Sequence, residues 1–196
     1  MKKYHINFAH GRYLKSQEYC SNSAKQVGFD EVISYRVSDI DPNFISQNFE
    51  IFNNSRGYAY RIWKAYFIDK TLQKMSDGDL LVYSDSGSYY QLPIEPLIEK
   101  IKLEKTGVLS FELLGLIEKQ YTKKDTFVMM ELDTPEITDS SQREATYIWL
   151  IKNDFTVSLV KEYLRYSQNI NIISDLKSIT GDNYPEFIDA RHDQSI

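Results

Sequence analysis

The sequence predicts an α/β fold: one domain built on a central, mainly parallel mixed sheet flanked by helices. Three observations carry that expectation. The N-terminal third alternates strand, helix and strand, which is how parallel sheets are built. Leu80-Leu81-Val82-Tyr83 is a short, unbroken apolar run, as expected of a strand covered on both faces. An amphipathic segment precedes that run, and Asp85-Ser86-Gly87 follows it directly. In open α/β sheets, ligands gather outside the carboxyl ends of strands, so Asp85 falls where chemistry is usual.

In order along the chain, Tyr4–Ala9 alternates as a first strand and breaks at His10-Gly11. Residues 13–27 have helical composition and stop at Gly28, a C′ glycine. Glu31–Tyr35 reads as the second strand, followed by the acidic loop Ser38-Asp39-Ile40-Asp41-Pro42. Phe44–Asn53 reads as a helix. From Gly57 a central helix is expected, because Ala65, Ile68, Leu72 and Met75 recur at helical spacing. Ser76-Asp77-Gly78-Asp79 supplies the turn into Leu80–Tyr83. Glu95–Lys105 is a helix with Pro96 in its first turn, and Gly107–Phe111 a strand. Leu113–Gln120 stays open between helix and loop, and Phe127–Leu132 between strand and short helix. Ala145–Ile151 is β-branched and aromatic, hence a buried strand. Thr156–Tyr166 is an amphipathic helix, and Asn171–Ser174 reads as a last short strand.

Composition narrows the function. With 196 residues, 42% hydrophobic and 26% charged, the chain has ordinary globular values and room for one sizeable core. A net charge of −5 argues against nucleic-acid binding, which shows a basic footprint. The single Cys20 excludes an intramolecular disulfide and a multi-cysteine zinc site, and fits a reducing compartment. No 18-residue apolar run and no signal-peptide core occur, so a cytoplasmic protein without a transmembrane segment is expected.

The richest stretch is Arg56 to Tyr90. Tyr58, Tyr60, Trp63, Tyr66 and Phe67 exceed what one buried helix face needs, although core packing accounts for most such rings. Arg56, Arg61 and Lys64 put cations where a helix start favours an anion. Plain solvation is the competing reading for these cations, and for Arg61 it is the better one. Cations, a helix start and an acidic strand end together suit a phosphate-bearing ligand with a divalent metal.

Arg56-Gly57, Tyr60, Trp63-Lys64, Gly78-Asp79, Tyr83 and Asp85-Ser86-Gly87 resemble the RGxGYWxWKP…GDxxxYxDxG signature of a glycosyltransferase family. That family serves bacterial capsule and lipopolysaccharide loci and some large DNA viruses. Phe8-Ala9, Ser38–Asp41, Tyr121-Thr122-Lys123, Gln142 and Arg191-His192-Asp193-Gln194-Ser195 extend the resemblance, in matching order, over nearly the whole chain. Ala59 stands where the pattern has its second glycine, Arg61 where it has Trp, and Ala65 where it has Pro. Gly87 holds the second acidic position of a DxD motif, which leaves the number of metal ligands open.

The resemblance implies a GT-A, Rossmann-like domain over residues 1–196, as the N-terminal part of a longer protein or by itself. It implies transfer of a sugar from a nucleotide-diphosphate donor, UDP-linked by preference, to a glycan or lipid-linked oligosaccharide. Such work suits the inner face of a membrane. Asp85 is a hard oxygen ligand for Mn²⁺ or Mg²⁺, with His192 implied as a further ligand. Phe8, Ala9 and Tyr35, at the ends of the first two strands, would flank the base. Arg56, Gly57 and Lys64 would meet the phosphates, with Ser84, Ser86 and Gln194 as further donor contacts. Asp193 is either the base that deprotonates the acceptor hydroxyl or a ligand to a sugar hydroxyl. Two other classes compete: a nucleotide- or glycan-binding module without turnover, and a sugar-phosphate nucleotidyltransferase. The latter normally opens with a Gly-rich basic loop, for which His10-Gly11-Arg12 is a poor substitute.

Overall fold

A computed structural model describes residues 1–196. Its strands are β1 (Lys3–Phe8), β2 (Glu31–Tyr35), β3 (Leu80–Ser84), β4 (Val108–Leu109), β5 (Glu112–Ile117), β6 (Ser141–Arg143) and β7 (Tyr147–Ile151). The longer helices are α1 (Leu14–Gln26), α2 (Ile62–Leu72), α3 (Glu95–Leu103) and α4 (Asp154–Ser167). The chain divides into two compact units, and the division falls inside α2 and inside α4.

The first unit comprises Met1–Asp41, Phe67–Ser110 and Thr146–Val160. It holds a five-stranded sheet of order β2-β1-β3-β7-β4. β1 pairs in parallel with both β2 and β3, while β7 runs antiparallel to β3 and β4. The sheet is therefore mixed but mostly parallel, and helices flank it, as the sequence predicts. Central β3 is buried at every residue, which is why its sequence is apolar without alternation. Asp85 leaves its carboxyl end. Polar side chains fasten α1 to the sheet. Gln17 donates to Asn7 Oδ1 (2.8 Å) and to the Tyr35 carbonyl (2.9 Å), and Ser21 meets Ser34 at 2.6 Å. Buried polar groups need such partners, so these bonds fix which face of α1 looks inward.

The second unit comprises Pro42–Tyr66, Phe111–Ala145 and Lys161–Ile196. It holds the start of α2, the end of α4, several short helical turns and one two-stranded ribbon, β5 with β6. Three expectations change here. Leu113–Gln120 is neither helix nor loop at its start but part of β5; the pairing is irregular between Glu112 and Ile117, and Gly115 takes φ +84°, which hides the strand's alternation. Asn171–Ser174 is not a strand. Ile170–Ile173 forms a helical turn because the Asn169 side chain accepts from the Asn171 N–H at 3.0 Å. Phe127–Leu132 takes its helical alternative, with the helix at Lys124–Met129.

The third change matters most. The central helix begins at Ile62, not at Gly57. Gly57, Tyr58, Ala59, Tyr60 and Arg61 all have positive φ, between 50° and 65°. They make a single left-handed turn, closed by the Tyr60 N–H on the Arg56 carbonyl at 2.8 Å. Left-handed backbone costs about 1–2 kcal/mol per non-glycine residue, so the four such residues here cost on the order of 4–8 kcal/mol.

Candidate functional site

The left-handed turn is held by side chains on either side of it. Trp63 Nε1 donates to the carbonyls of Tyr58 (3.0 Å) and Gly57 (3.3 Å), and Asn54 donates to the Tyr60 hydroxyl at 2.7 Å. The turn sits between two arginines, and both reach the last 22 residues of the chain within the second unit. Arg56 Nη1 meets Asp175 at 2.9 Å, and its Nη2 meets Asp189 at 3.2 Å. Arg61 Nη1 lies 3.4 Å from His192 Nδ1 and 3.8 Å from Asp193. The Tyr60 ring packs against the His192 ring with centroids 5.1 Å apart. Strain of this size persists only where the surroundings over-determine the backbone, and such places cluster at functional sites.

Lys64 lies three residues past the turn. Its ammonium donates to the Ala145 carbonyl at 2.9 Å and forms an ion pair with the Asp193 carboxylate. The two side chains are 2% and 4% exposed. His192 is also buried. Its Nε2 lies 3.0 Å from Asp175 Oδ1. Burial is the main influence on this imidazole, and it lowers the pKa below the usual histidine value despite Asp175. In the neutral ring, Arg61 has only N–H groups to offer, so Nδ1 accepts and Nε2–H donates to Asp175. Asp175 thus joins Arg56 to His192, and a pocket of about 230 Å³ opens beside Arg56, Asp175 and Asp189.

The rest of the closing segment is tied down in the same unit. Gln194 donates to Gln142 Oε1 at 2.9 Å, and Gln142 donates to Glu118 at 3.3 Å. Burial raises the Glu118 pKa, with the bonds from Thr122 and Gln142 opposing it. Ser195 donates to the Tyr121 carbonyl at 2.8 Å, and the Arg191 guanidinium stacks over the Tyr121 ring, 4.2 Å from its centroid.

In the first unit, Asp85 Oδ1 accepts from the Tyr83 hydroxyl at 2.5 Å, two residues apart on one face of the strand's end. Its N–H donates to the Thr146 carbonyl at 2.9 Å. Ser84 points the other way, into the core, where its hydroxyl meets His5 Nε2 at 2.8 Å and Cys20 Sγ at 3.3 Å. Ser86 is buried. Phe8, Ala9 and Tyr35 are all buried as well. Phe67 stacks on Tyr35 at 4.1 Å and on Phe8 at 5.6 Å, and the Tyr35 hydroxyl meets Thr71 at 3.0 Å. Phe67 thus packs on both Phe8 and Tyr35.

The structure thus brings Arg56, Gly57, Lys64, His192, Asp193 and Gln194 into one unit, in a connected set of contacts. Phe8, Ala9, Tyr35, Ser84, Asp85 and Ser86 belong to the other. The sequence reading gave Arg61 to plain solvation, although it shares the cation cluster of Arg56 and Lys64, and it did not single out Asp175 or Glu118. A resident divalent metal does not fit these residues by themselves: no group of three His, Cys, Asp or Glu side chains is placed to hold one, and both ring nitrogens of His192 face other partners. No helix is long and apolar enough to cross a membrane. No protein-family model matches the chain, and no curated protein matches it.

Proposed function

We propose that this protein is a glycosyltransferase that moves a sugar from a nucleotide-diphosphate donor to a glycan or lipid-linked acceptor. The observation that carries the reading is convergence. Arg56-Gly57, Tyr60, Trp63-Lys64, Tyr121–Lys123, Gln142 and Arg191–Ser195 are the positions of the resemblance in the second unit, and they are spread along the chain. Lys64 nevertheless pairs with Asp193, Tyr60 packs on His192, Gln142 accepts from Gln194, and the Tyr121 carbonyl accepts from Ser195. In this reading Asp193 is the group that meets the acceptor or sugar hydroxyl. Lys64 holds its carboxylate in place and is a positioning residue rather than a phosphate contact. Arg56 and Arg61, with side chains 48% and 41% exposed, would meet a diphosphate in exchange for their present partners Asp175, Asp189 and Asp193. In this reading Asp85, in the first unit, would be the protein's carboxylate toward Mn²⁺ or Mg²⁺, and the cation would offset negative charge on a donor's phosphates.

A second reading, a nucleotide- or glycan-binding module without turnover, is favoured by one observation: Asp193 is 5% exposed. One experiment separates the two. A panel of nucleotide sugars with Mn²⁺ is incubated with the protein, and donor consumption is followed beside nucleotide binding. The transferase reading expects turnover; binding with no turnover of any donor supports the module instead.

A further inference from the structure

We propose that a groove along α1 is a binding site for an anionic glycan. The groove has a volume of about 680 Å³ and lies within the first unit, between one face of α1 and the loop Gly87–Tyr90. Binding sites for small molecules span about 300–1,000 Å³, so a short saccharide fits. Arg12, Lys15, Tyr19, Asn22 and Gln26 line it at three- and four-residue spacing, which is one helical face. The opposite wall is anchored, because the Tyr90 N–H donates to Ser23 Oγ at 3.0 Å.

The lining chemistry selects the ligand. No carboxylate lines the groove, although the chain's net charge is −5. Arg12 and Lys15 are its only ionic groups, and a cation donates its strongest hydrogen bonds to a carboxylate or phosphate. Arg12 is steadied by Tyr13, whose hydroxyl lies 3.2 Å from Nη2. Tyr19 and Tyr89 stand 64% and 60% exposed, two broad amphipathic faces in water. Such faces suit the C–H surface of a pyranose ring. Asn22 and Gln26 add amides that both donate to and accept from hydroxyls. A nucleic acid needs a longer track of cations than two, and a strand-adding peptide needs an open sheet edge, which this groove lacks. The loop that forms the wall continues directly from Asp85, in the same unit.

Calorimetric titration of the whole chain with a galacturonate tetramer, its methyl ester and a phosphorylated mannan oligomer tests the site without any donor. At least one acidic oligomer is expected to bind, and the one that does identifies the anion. Its affinity should fall about tenfold in Arg12→Ala and in Lys15→Ala, and also in Tyr19→Ala and Tyr89→Ala. The neutral ester should bind at least tenfold more weakly than the acidic tetramer if the tetramer is the ligand. Failure of both acidic oligomers to bind overturns the proposal. Binding that the tyrosine variants leave unchanged overturns it too, because charge alone then explains the affinity. Intact binding together with no turnover of any nucleotide sugar removes the transferase reading and leaves the groove standing.

Discussion

The Lys64 ammonium rests on the Asp193 carboxylate with both groups almost fully removed from water. Removing one partner of such a pair strands the other as a buried charge, which typically costs about 3–5 kcal/mol. Lys64→Met and Asp193→Leu should each lose that much in urea unfolding. The double variant should recover more than half of the combined loss, because no charge is then stranded. Additive losses would show that the two groups do not depend on each other.

Asp193→Asn keeps the shape of the side chain and an acceptor for Lys64. If Asp193 acts as the base, this variant should cut glycosyl transfer by about 10²–10⁴-fold, as general acid–base groups do. Nucleotide affinity should stay within about twofold of wild type. Transfer that continues at the wild-type rate would remove Asp193 from the chemistry.

The left-handed turn reverses an ordinary rule. In a right-handed helix, Ala→Gly costs about 1 kcal/mol. At Ala59, φ is +61°, so relief of left-handed strain offsets the lost methyl and Ala59→Gly should change stability by under about 0.5 kcal/mol. Gly57→Ala should instead cost about 1–2 kcal/mol. Its new Cβ would also meet Arg61 atoms at 3.3 Å. Chemical denaturation of the two variants checks both signs.

Calorimetry addresses the metal. Mn²⁺ alone should bind weakly, since no group of three ligands is in place. Added with a nucleoside diphosphate, it should tighten nucleotide binding, and the gain should vanish in Asp85→Asn. Equal nucleotide affinity with and without Mn²⁺ in the wild type would contradict the assignment of Asp85.

Acid should destabilise the fold through His5. Burial lowers its pKa to about 3. Above the unfolded value near 6.5 the ring is neutral in both states, and its contribution is complete. As pH falls below that value only the unfolded chain takes the proton, so stability is lost progressively toward pH 3. Between pH 7 and pH 5 the loss is about 2 kcal/mol. His5→Gln should remove that much of the pH dependence, whatever its effect at pH 7, as urea unfolding at the two pH values would show.

The sheet was legible because its strands follow simple rules. β3 is unbroken and apolar since water reaches neither face, and β1 alternates before a glycine. β5 and β6 were not, because a glycine at positive φ interrupts one and Ser141-Gln142-Arg143 in the other has no apolar pattern. Nothing in Tyr58-Ala59-Tyr60-Arg61 announces left-handed backbone; only the preceding Gly57 hints at it. In the site, residue type pointed to Lys64, and the resemblance to His192 and Asp193. What they could not convey is pairing. An ammonium suits a phosphate and a carboxylate equally well, and only the folded chain shows that Asp193 takes it. Asp175 was invisible for the same reason: its meaning lies in Arg56 and His192, both remote in sequence.

Trp63 braces the left-handed turn through its indole N–H, and the chain's only other tryptophan, Trp149, is buried in the first unit's sheet. Each compact unit therefore carries one tryptophan, which selective excitation singles out from the tyrosines. In a Trp149→Phe background, emission comes from the indole that holds the turn, so its quenching or spectral shift records that turn opening. In a Trp63→Phe background, the same spectrometer follows the five-stranded sheet instead. Comparing the two traces during unfolding would reveal whether the units melt together or one after the other.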